Sequence, residues 1–264
     1  SKTARLPQRI LILEEDIHIS PDFFDYFKAM VPILEGDSSL FAVSAFNDNG
    51  YKGMVQDATR VLRSDFFPGL GWMLTRKLWT NELQLKWPNG YWDDWLRDPH
   101  QRQGRHTLRP EISRTFHFGS SGGSSNNQFG SQLQKIQLNT EPVDWSVPDN
   151  PDRHHYSYYL KDQDTFDFYY FDLIQNAQFV TSVSEALDAV QKTNVRLEYN
   201  NFHGFQVLAK DFGLMTDEKA DIPRTAYKGV VETRPRGNHL LFLTPPFAEL
   251  QLHVATSSKS LADV

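Results

Sequence analysis

The chain contains no cysteine. This absence excludes disulfides, thiolate metal sites and a cysteine nucleophile. An excess of positive charge is also missing, because 27 lysines and arginines stand against 33 aspartates and glutamates, which gives a formal net charge of -6. A protein that binds nucleic acid needs basic groups to neutralise phosphates, so this balance argues against a nucleic-acid partner.

Long hydrophobic runs are absent as well. No stretch of about 18 or more apolar residues occurs, so the sequence predicts no membrane-spanning helix. The chain begins with Ser1 and shows no signal-peptide pattern. We therefore expect any membrane anchor to lie outside these 264 residues.

Apolar and aromatic residues are well represented. Hydrophobic residues make up 39% of the chain and charged residues 23%, a balance typical of a folded domain with a core. Aromatic residues reach 13%. Most of these rings must pack in the core, but aromatic faces also suit the C–H surfaces of sugar rings.

Strand-like and helix-like patterns alternate along the chain, which predicts an α/β fold. Strands are predicted at residues 9–13, 40–45, 109–118 and 195–199, with a hairpin at 230–243. The first of them is a short apolar run that reads as a buried, parallel strand. Helices are predicted after Asp22, after the glycine-bounded turn 67–72, and at residues 183–192 and 202–212.

The composition changes between residues 140 and 150, where proline, aspartate and histidine become frequent. This change predicts a boundary between residues 1–140 and a smaller C-terminal domain at residues 141–264. An earlier segment, residues 119–127, contains glycine, serine and asparagine and no apolar residue. It fits either a linker or a lid that closes over a bound ligand.

Three acids, Glu14, Glu15 and Asp16, follow the first predicted strand. Like charges in one place repel each other, and a divalent cation would relieve that repulsion. Carboxylate oxygens suit Mg²⁺ or Mn²⁺, which typically join one or two carboxylates to a diphosphate. The alternative is an acidic loop in solvent. The histidines show no metal-ligand spacing, so His117 is interpreted as a surface or core residue.

Two aspartates, Asp93 and Asp94, stand between Trp92 and Trp95 in a predicted aromatic loop. A carboxylate buried against aromatic rings is suited to act as a general base. The alternative is an amphipathic turn that places both tryptophans in the core.

Taken together, several motifs resemble one family more specifically than any single motif does. They are Leu-Glu-Glu-Asp-Ile-His-Ile-Ser-Pro-Asp-Phe-Phe at 13–24, Val-Ser-Ala-Phe-Asn-Asp-Asn-Gly at 43–50, Asp-Phe-Phe-Pro-Gly-Leu-Gly-Trp at 65–72 and Tyr-Trp-Asp-Asp-Trp at 91–95. Their order and spacing resemble the GlcNAc-transferase I family over residues 8–135, and the resemblance continues more weakly to residue 246.

The resemblance implies a GT-A glycosyltransferase fold, with a mixed sheet flanked by helices and a smaller C-terminal α+β subdomain. It also implies that the first strands of that fold, and most uridine contacts, precede these residues. The implied reaction moves N-acetylglucosamine from UDP-GlcNAc to the 2-hydroxyl of a mannose on an N-glycan. Inversion at the anomeric carbon, Mn²⁺ as cofactor and a place in the Golgi lumen are implied as well.

The resemblance assigns roles to four acidic residues. Asp16 matches the metal ligand, and Glu14 and Glu15 match the two acids before it, the first of which faces the donor sugar. The family usually has an aspartate where Glu15 stands. Asp93 matches the general base that takes the proton of the mannose hydroxyl.

Three further residues match the donor pocket. Leu70 and Trp92 match walls of the pocket for N-acetylglucosamine. Ser124 falls in the loop that closes on the donor, although an apparent insertion leaves Ser125 as the alternative match.

Other functions stay open at this point. The O-mannose-directed GlcNAc-transferases share most of these motifs, although the compact segment 91–95 favours the N-glycan enzyme. A sugar-binding module that keeps the fold without turnover is an alternative from a different class. A hydrolase that uses Glu14 and Asp93 as its carboxylate pair has little support.

Overall fold

The computed structural model describes residues 6–119, 129–237 and 239–250. Along these residues the strands are β1 (Arg9–Ile12), β2 (Ile17–Ile19), β3 (Leu40–Ser44), β4 (Val61–Ser64), β5 (Trp72–Thr75), β6 (His106–Pro110), β7 (Thr115–His117), β8 (Gln178–Val180), β9 (Val195–Glu198), β10 (Glu218–Lys219), β11 (Ile222–Pro223), β12 (Val231–Thr233) and β13 (Leu241–Thr244). The α-helices are α1 (Phe23–Gly36), α2 (Arg76–Leu78), α3 (Trp92–Arg97), α4 (Pro99–Arg102), α5 (Gly130–Leu133), α6 (Tyr156–Tyr159), α7 (Gln163–Gln175), α8 (Val183–Ala189) and α9 (Phe202–Phe212).

A mixed sheet carries the first part of the chain. Among the described residues, five strands form it in the order β1-β5-β3-β6-β4, and only β3 and β6 run parallel. Every residue of β3 is buried, as expected for an apolar strand covered on both faces. The chain therefore folds as a mixed α/β protein, which agrees with the predicted class.

The prediction for the first strand was wrong in two respects. β1 is antiparallel to β5, and it lies at the edge of the sheet rather than inside it. Its first two residues are exposed, and Ile10 keeps 40% of its surface accessible. A run of four or five apolar residues determines neither the position of a strand in its sheet nor its direction, because both depend on the partner strands.

Helix α1 packs on this sheet through one stripe. Phe23, Phe27 and Met30 are buried, which agrees with a spacing of three to four residues on one helical face. Phe24, by contrast, is 65% exposed. Its position one residue after Phe23 rotates it away from the stripe.

The helix predicted directly after the turn 67–72 begins later than expected. Residues Trp72–Thr75 instead form β5, which pairs with β1 and β3 and is almost fully buried. The helical segment starts at Arg76, where the Thr75 hydroxyl accepts a hydrogen bond from the Leu78 amide. Pairing with two neighbouring strands outweighs the local helical preference of this segment.

A second mixed sheet contains the later part of the chain, with the strand order β12-β13-β9-β8 among the described residues. The predicted helix 202–212 is confirmed as α9, and the predicted hairpin is formed by β12 and β13. Asn201 caps α9 by accepting a hydrogen bond from the Gly204 amide, and Gly213 ends it at a φ of 73°. These signals are local, so the sequence alone could place the helix.

The predicted boundary near residues 140–150 stays a prediction. One hydrophobic cluster contains Phe23 and Leu108 from before this region and Tyr156, Tyr170 and Phe242 from after it. Residues from both sides of the predicted boundary therefore share a core. Within the described ranges, no helix is both long and apolar enough to cross a bilayer.

Candidate active site

An open cavity of about 460 Å³ lies where several loops meet beside the first sheet. Its lining includes six of the seven site residues that the sequence predicted: Glu14, Glu15, Asp16, Leu70, Trp92 and Asp93. The seventh, Ser124, lies outside the described residues. The fold therefore brings together side chains from the loop after β1, the turn before β5 and helix α3.

Glu14 differs from the other two acids in the surroundings of its carboxyl group. Its Oε2 atom is buried and has no hydrogen-bond partner among the described residues. Burial, together with the charges of Asp16, Asp93 and Glu15, raises the pKa of the Glu14 carboxyl to about 7, against a backbone hydrogen bond that lowers it. The Glu14 carboxyl is therefore close enough to Asp16, Glu15 and Asp93 for their charges to affect it. An acidic loop in solvent would show a weaker effect.

Asp16 is held by a residue that the sequence analysis did not select. Its Oδ2 atom lies 2.8 Å from Nε2 of His117. The two residues meet because β2 pairs with β7, which places Ile17 opposite His117. A β-carbon at Gly119 would collide with the Asp16 carboxylate, so this position leaves room for it. No signal in the sequence gives this pairing, since it depends on strand register.

Helix α3 carries the predicted base. The segment was predicted as a loop, but residues from Trp92 to Arg97 form one helical turn and a half. Arg97 Nη1 donates to Asp93 Oδ2 at 2.9 Å and to Asp94 Oδ1 at 3.1 Å. Asp93 was expected to be buried between the tryptophans, but 41% of its side chain is exposed. A helix turns successive side chains by about 100°, so the tryptophans pack inward while Asp93 faces the cavity.

Trp92 forms one wall of the cavity, and its ring is fixed by two others. It stacks between Trp72, at 5.8 Å between ring centroids, and Trp87, at 6.3 Å. Trp72 is fully buried. Parallel rings on both faces restrict the rotation of Trp92, so the wall is preformed.

Leu70, on another wall, has an unusual backbone. Its φ is 50°, and the flanking Gly69 and Gly71 have φ values of 74° and 85°. The left-handed region is unfavourable for leucine, which has a β-carbon, and is readily adopted by glycine. The Thr115 hydroxyl donates to the Leu70 carbonyl at 2.7 Å and helps to hold this conformation. Backbone strain of this kind often lies at a binding site.

Arg224 is a second residue that the sequence analysis did not single out. It donates to Asp48 at 2.6 Å and to Asp217 at 2.7 Å. Its guanidinium also lies over the rings of Phe66 and Phe129, at 4.9 and 4.6 Å from their centroids. Arg224 thereby joins the C-terminal part of the chain to the cavity that it lines.

A cation in this cavity would need ligands from a bound molecule as well as from the protein. No group of three or more His, Cys, Asp or Glu side chains among the described residues is arranged to hold a metal ion. Asp16 offers a carboxylate of which 35% is exposed. One carboxylate together with phosphate oxygens and water is a common ligand set for Mg²⁺ and Mn²⁺. The residues present therefore fit a metal that arrives with a diphosphate.

Comparisons with known proteins identify the family of this chain. The model of the GNT-I family matches residues 3–256. An alpha-1,3-mannosyl-glycoprotein 2-beta-N-acetylglucosaminyltransferase of Arabidopsis thaliana is 41% identical over 250 residues, which cover 94% of this chain and 54% of that relative. The chain belongs to the GNT-I family, and the resemblance inferred from the motifs is confirmed. It spans about half the length of the curated relative that it matches.

Proposed function

We propose that this chain contains the catalytic centre of an N-acetylglucosaminyltransferase that uses UDP-GlcNAc and a mannose-terminated N-glycan. The observation that carries the proposal is that the predicted metal ligand Asp16, the predicted base Asp93 and the predicted wall Trp92 line one cavity. The name of the Arabidopsis thaliana relative supports the choice of sugar and acceptor. We also propose that the first sheet belongs to a GT-A fold.

The donor side of the reaction rests on the acidic run. We assign Asp16 as the residue that would hold a Mn²⁺ ion. Such an ion would neutralise the negative charge that develops on the departing UDP. Glu14 presents a carboxyl oxygen without a partner among the described residues, and we assign it to a hydroxyl of the donor sugar. Exposed Glu15 also lines the cavity and is assigned to the donor as well.

The acceptor side rests on Asp93. Its carboxylate takes the proton from the 2-hydroxyl of mannose while that oxygen forms a bond to C1 of N-acetylglucosamine. The bond between C1 and the diphosphate oxygen breaks in the same displacement, so the anomeric configuration inverts. Arg97 holds the carboxylate in place by its hydrogen bond to Asp93, and its own Nε donates to the Phe67 carbonyl at 3.0 Å.

Binding of the transferred sugar rests on two preformed walls. Trp92 offers an indole fixed between two rings, and Leu70 offers an apolar side chain on a constrained turn. Such surfaces suit the apolar face and the acetyl group of N-acetylglucosamine. The contact proposed for Ser124 stays a prediction. We place the reaction in the Golgi lumen, with a membrane anchor outside these residues.

The proposal is tested by measuring UDP release from UDP-GlcNAc by the full-length gene product with Mn²⁺. Release should increase strongly when a mannose-terminated N-glycan is added, and the product should carry a new β-linked N-acetylglucosamine on a mannose 2-hydroxyl. An O-mannosyl peptide serves as the competing acceptor and should be used much less well. UDP release that is independent of any acceptor would contradict the proposal, and sugar binding without release would identify a non-catalytic module.

The metal assignment needs its own variants. Asp16→Ala should abolish the activity at every Mn²⁺ concentration, because the ion loses its protein ligand. Asp188→Ala is the matched control, since Asp188 is an exposed aspartate on α8. Normal binding of Mn²⁺ and donor by Asp16→Ala would show that the ligand lies elsewhere.

A further inference from the structure

A second cavity, of about 370 Å³, adjoins the first and is called here the hairpin groove. It lies between α3 and the β10–β11 hairpin. The two cavities share Asp93, Arg97, Phe129 and Arg224 in their linings. The hairpin groove is therefore continuous with the proposed catalytic centre.

Three consecutive residues at the start of α3 separate the two cavities. Trp92 lines only the first cavity, Tyr91 lines only the hairpin groove, and Asp93 lines both. A carboxylate at this junction can take a proton from a hydroxyl that enters from the groove while the donor sugar occupies the first cavity. The groove thus lies on the side from which an acceptor would approach.

Tyr91 presents an aromatic ring to solvent at the edge of this groove. The residue is 71% exposed, so its ring contributes little to the core. Its backbone has a φ of 51°, in the left-handed region that a β-carbon disfavours. An exposed tyrosine next to the proposed base offers a flat apolar face with a hydroxyl at its tip, which suits a sugar ring.

Most of the remaining lining of the groove is polar and carries no strong net charge. Lys219 Nζ lies 3.1 Å from Asp94 Oδ2, and this ion pair bridges the groove from the hairpin to α3. Four acidic and three basic side chains line the groove: Asp93, Asp94, Asp217, Glu218, Arg97, Lys219 and Arg224. Donors and acceptors in nearly equal number fit the hydroxyls of a neutral oligosaccharide better than they fit an ion.

We propose that the hairpin groove binds the sugar residues of the acceptor next to the reacting mannose. Tyr91 stacks on one of these rings, and the Lys219–Asp94 pair hydrogen-bonds their hydroxyls. These contacts would determine how strongly the protein prefers a branched oligosaccharide over mannose alone. The inference rests on the proposed function, because it takes Asp93 as the base that the acceptor reaches.

The test compares two acceptors on the full-length gene product. Methyl α-mannoside carries only the reacting sugar, whereas a mannose-terminated oligosaccharide also reaches the groove. Tyr91→Ala should raise KM for the oligosaccharide by about tenfold, on the scale of losing one ring contact. It should leave KM for UDP-GlcNAc and kcat/KM for methyl α-mannoside within about twofold of the original values, since neither uses the groove. Tyr91→Phe should keep the oligosaccharide KM.

Matched controls separate the groove from the rest of the surface. Tyr158→Ala removes another partly exposed tyrosine, on α6, and should change no parameter. Lys219→Ala gives a second test that does not involve the constrained backbone of Tyr91, with the exposed Lys210 on α9 replaced by alanine as its control. Lys219→Ala should also raise KM for the oligosaccharide only.

The outcomes distinguish this inference from the proposed function. If the unaltered protein transfers sugar but neither variant changes KM for the oligosaccharide, the groove assignment is overturned and the function stands. If both acceptors lose efficiency equally, the residues act on the reacting mannose or on the fold, and the assignment is again overturned. If the unaltered protein shows no acceptor-dependent UDP release, the proposed function fails and this inference fails with it.

Discussion

His117 Nε2 lies 2.8 Å from Asp16 Oδ2, so the last residue of β7 holds the carboxylate of the residue that precedes β2. The Phe118 amide also donates to the Asp16 carbonyl, at 3.0 Å, which closes the β2–β7 ribbon at this point. The Asp16 side chain stays 35% exposed and lines the cavity. The proposed metal ligand is therefore oriented before any ion arrives.

His117→Ala is expected to weaken Mn²⁺ binding by about tenfold, because groups that orient a metal ligand commonly contribute that much to affinity. The Mn²⁺ concentration for half-maximal activity measures the effect. His203→Ala is the control, since His203 is exposed on α9. An unchanged Mn²⁺ requirement in His117→Ala would mean that Asp16 does not need this partner.

Asp93→Asn is expected to lower kcat by about 100-fold or more, because the amide cannot accept the hydroxyl proton. KM for UDP-GlcNAc should change little, since the carboxylate acts on the acceptor. Asp188→Asn makes the same chemical change on an exposed helix and should leave kcat unaltered. Full activity in Asp93→Asn would assign the base to another residue.

Gly71→Ala is expected to destabilise the protein by about 2 kcal/mol and to raise KM for the donor. Its φ is 85°, and a β-carbon there would lie 2.8 Å from Thr115 Cγ2. The turn that holds Leu70 would therefore have to move. Gly36→Ala is the matched control, because nothing lies within 4 Å of a β-carbon at Gly36. Thermal unfolding measures both variants, and equal melting temperatures would contradict the expectation.

Asp22 gives a prediction about pH. Burial alone would raise the pKa of the Asp22 carboxyl, but Arg114 and hydrogen bonds from Trp145, Ser20 and Asn139 outweigh it and lower that pKa below its usual value. The stability from this group is therefore present at neutral pH and is lost as pH falls through the lowered pKa.

Asp22→Asn is expected to lower the free energy of unfolding by about 3 kcal/mol at pH 7, because the fully buried Arg114 side chain loses its carboxylate partner. The difference between the two proteins should begin to shrink as pH falls below about 4, the usual pKa of an aspartate in an unfolded chain, and should continue to shrink through the lowered pKa of folded Asp22. Denaturant unfolding at both pH values measures this. A difference that stays constant would show that the charge of Asp22 does not matter.

Several features could be predicted because their causes lie within a few residues. Helix α9 has its cap, its apolar stripe and its terminal glycine in one short segment, so its bounds follow from local chemistry. Asp16 and Asp93 were found in the same way, since each belongs to a short motif of family type. Their chemistry is carried by residue type, which the sequence states directly.

Other features were decided only by tertiary structure. β1 is an edge strand and antiparallel because of its pairing with β5, and the segment after Tyr91 is helical because its tryptophans pack against Trp72 and Trp87. His117 reaches Asp16, and Arg224 reaches Asp48, through contacts between residues far apart in the chain. The sequence by itself determined which chemical groups the site contains. Their partners, exposure and orientation depended on strand register and long-range packing, which no local pattern encodes.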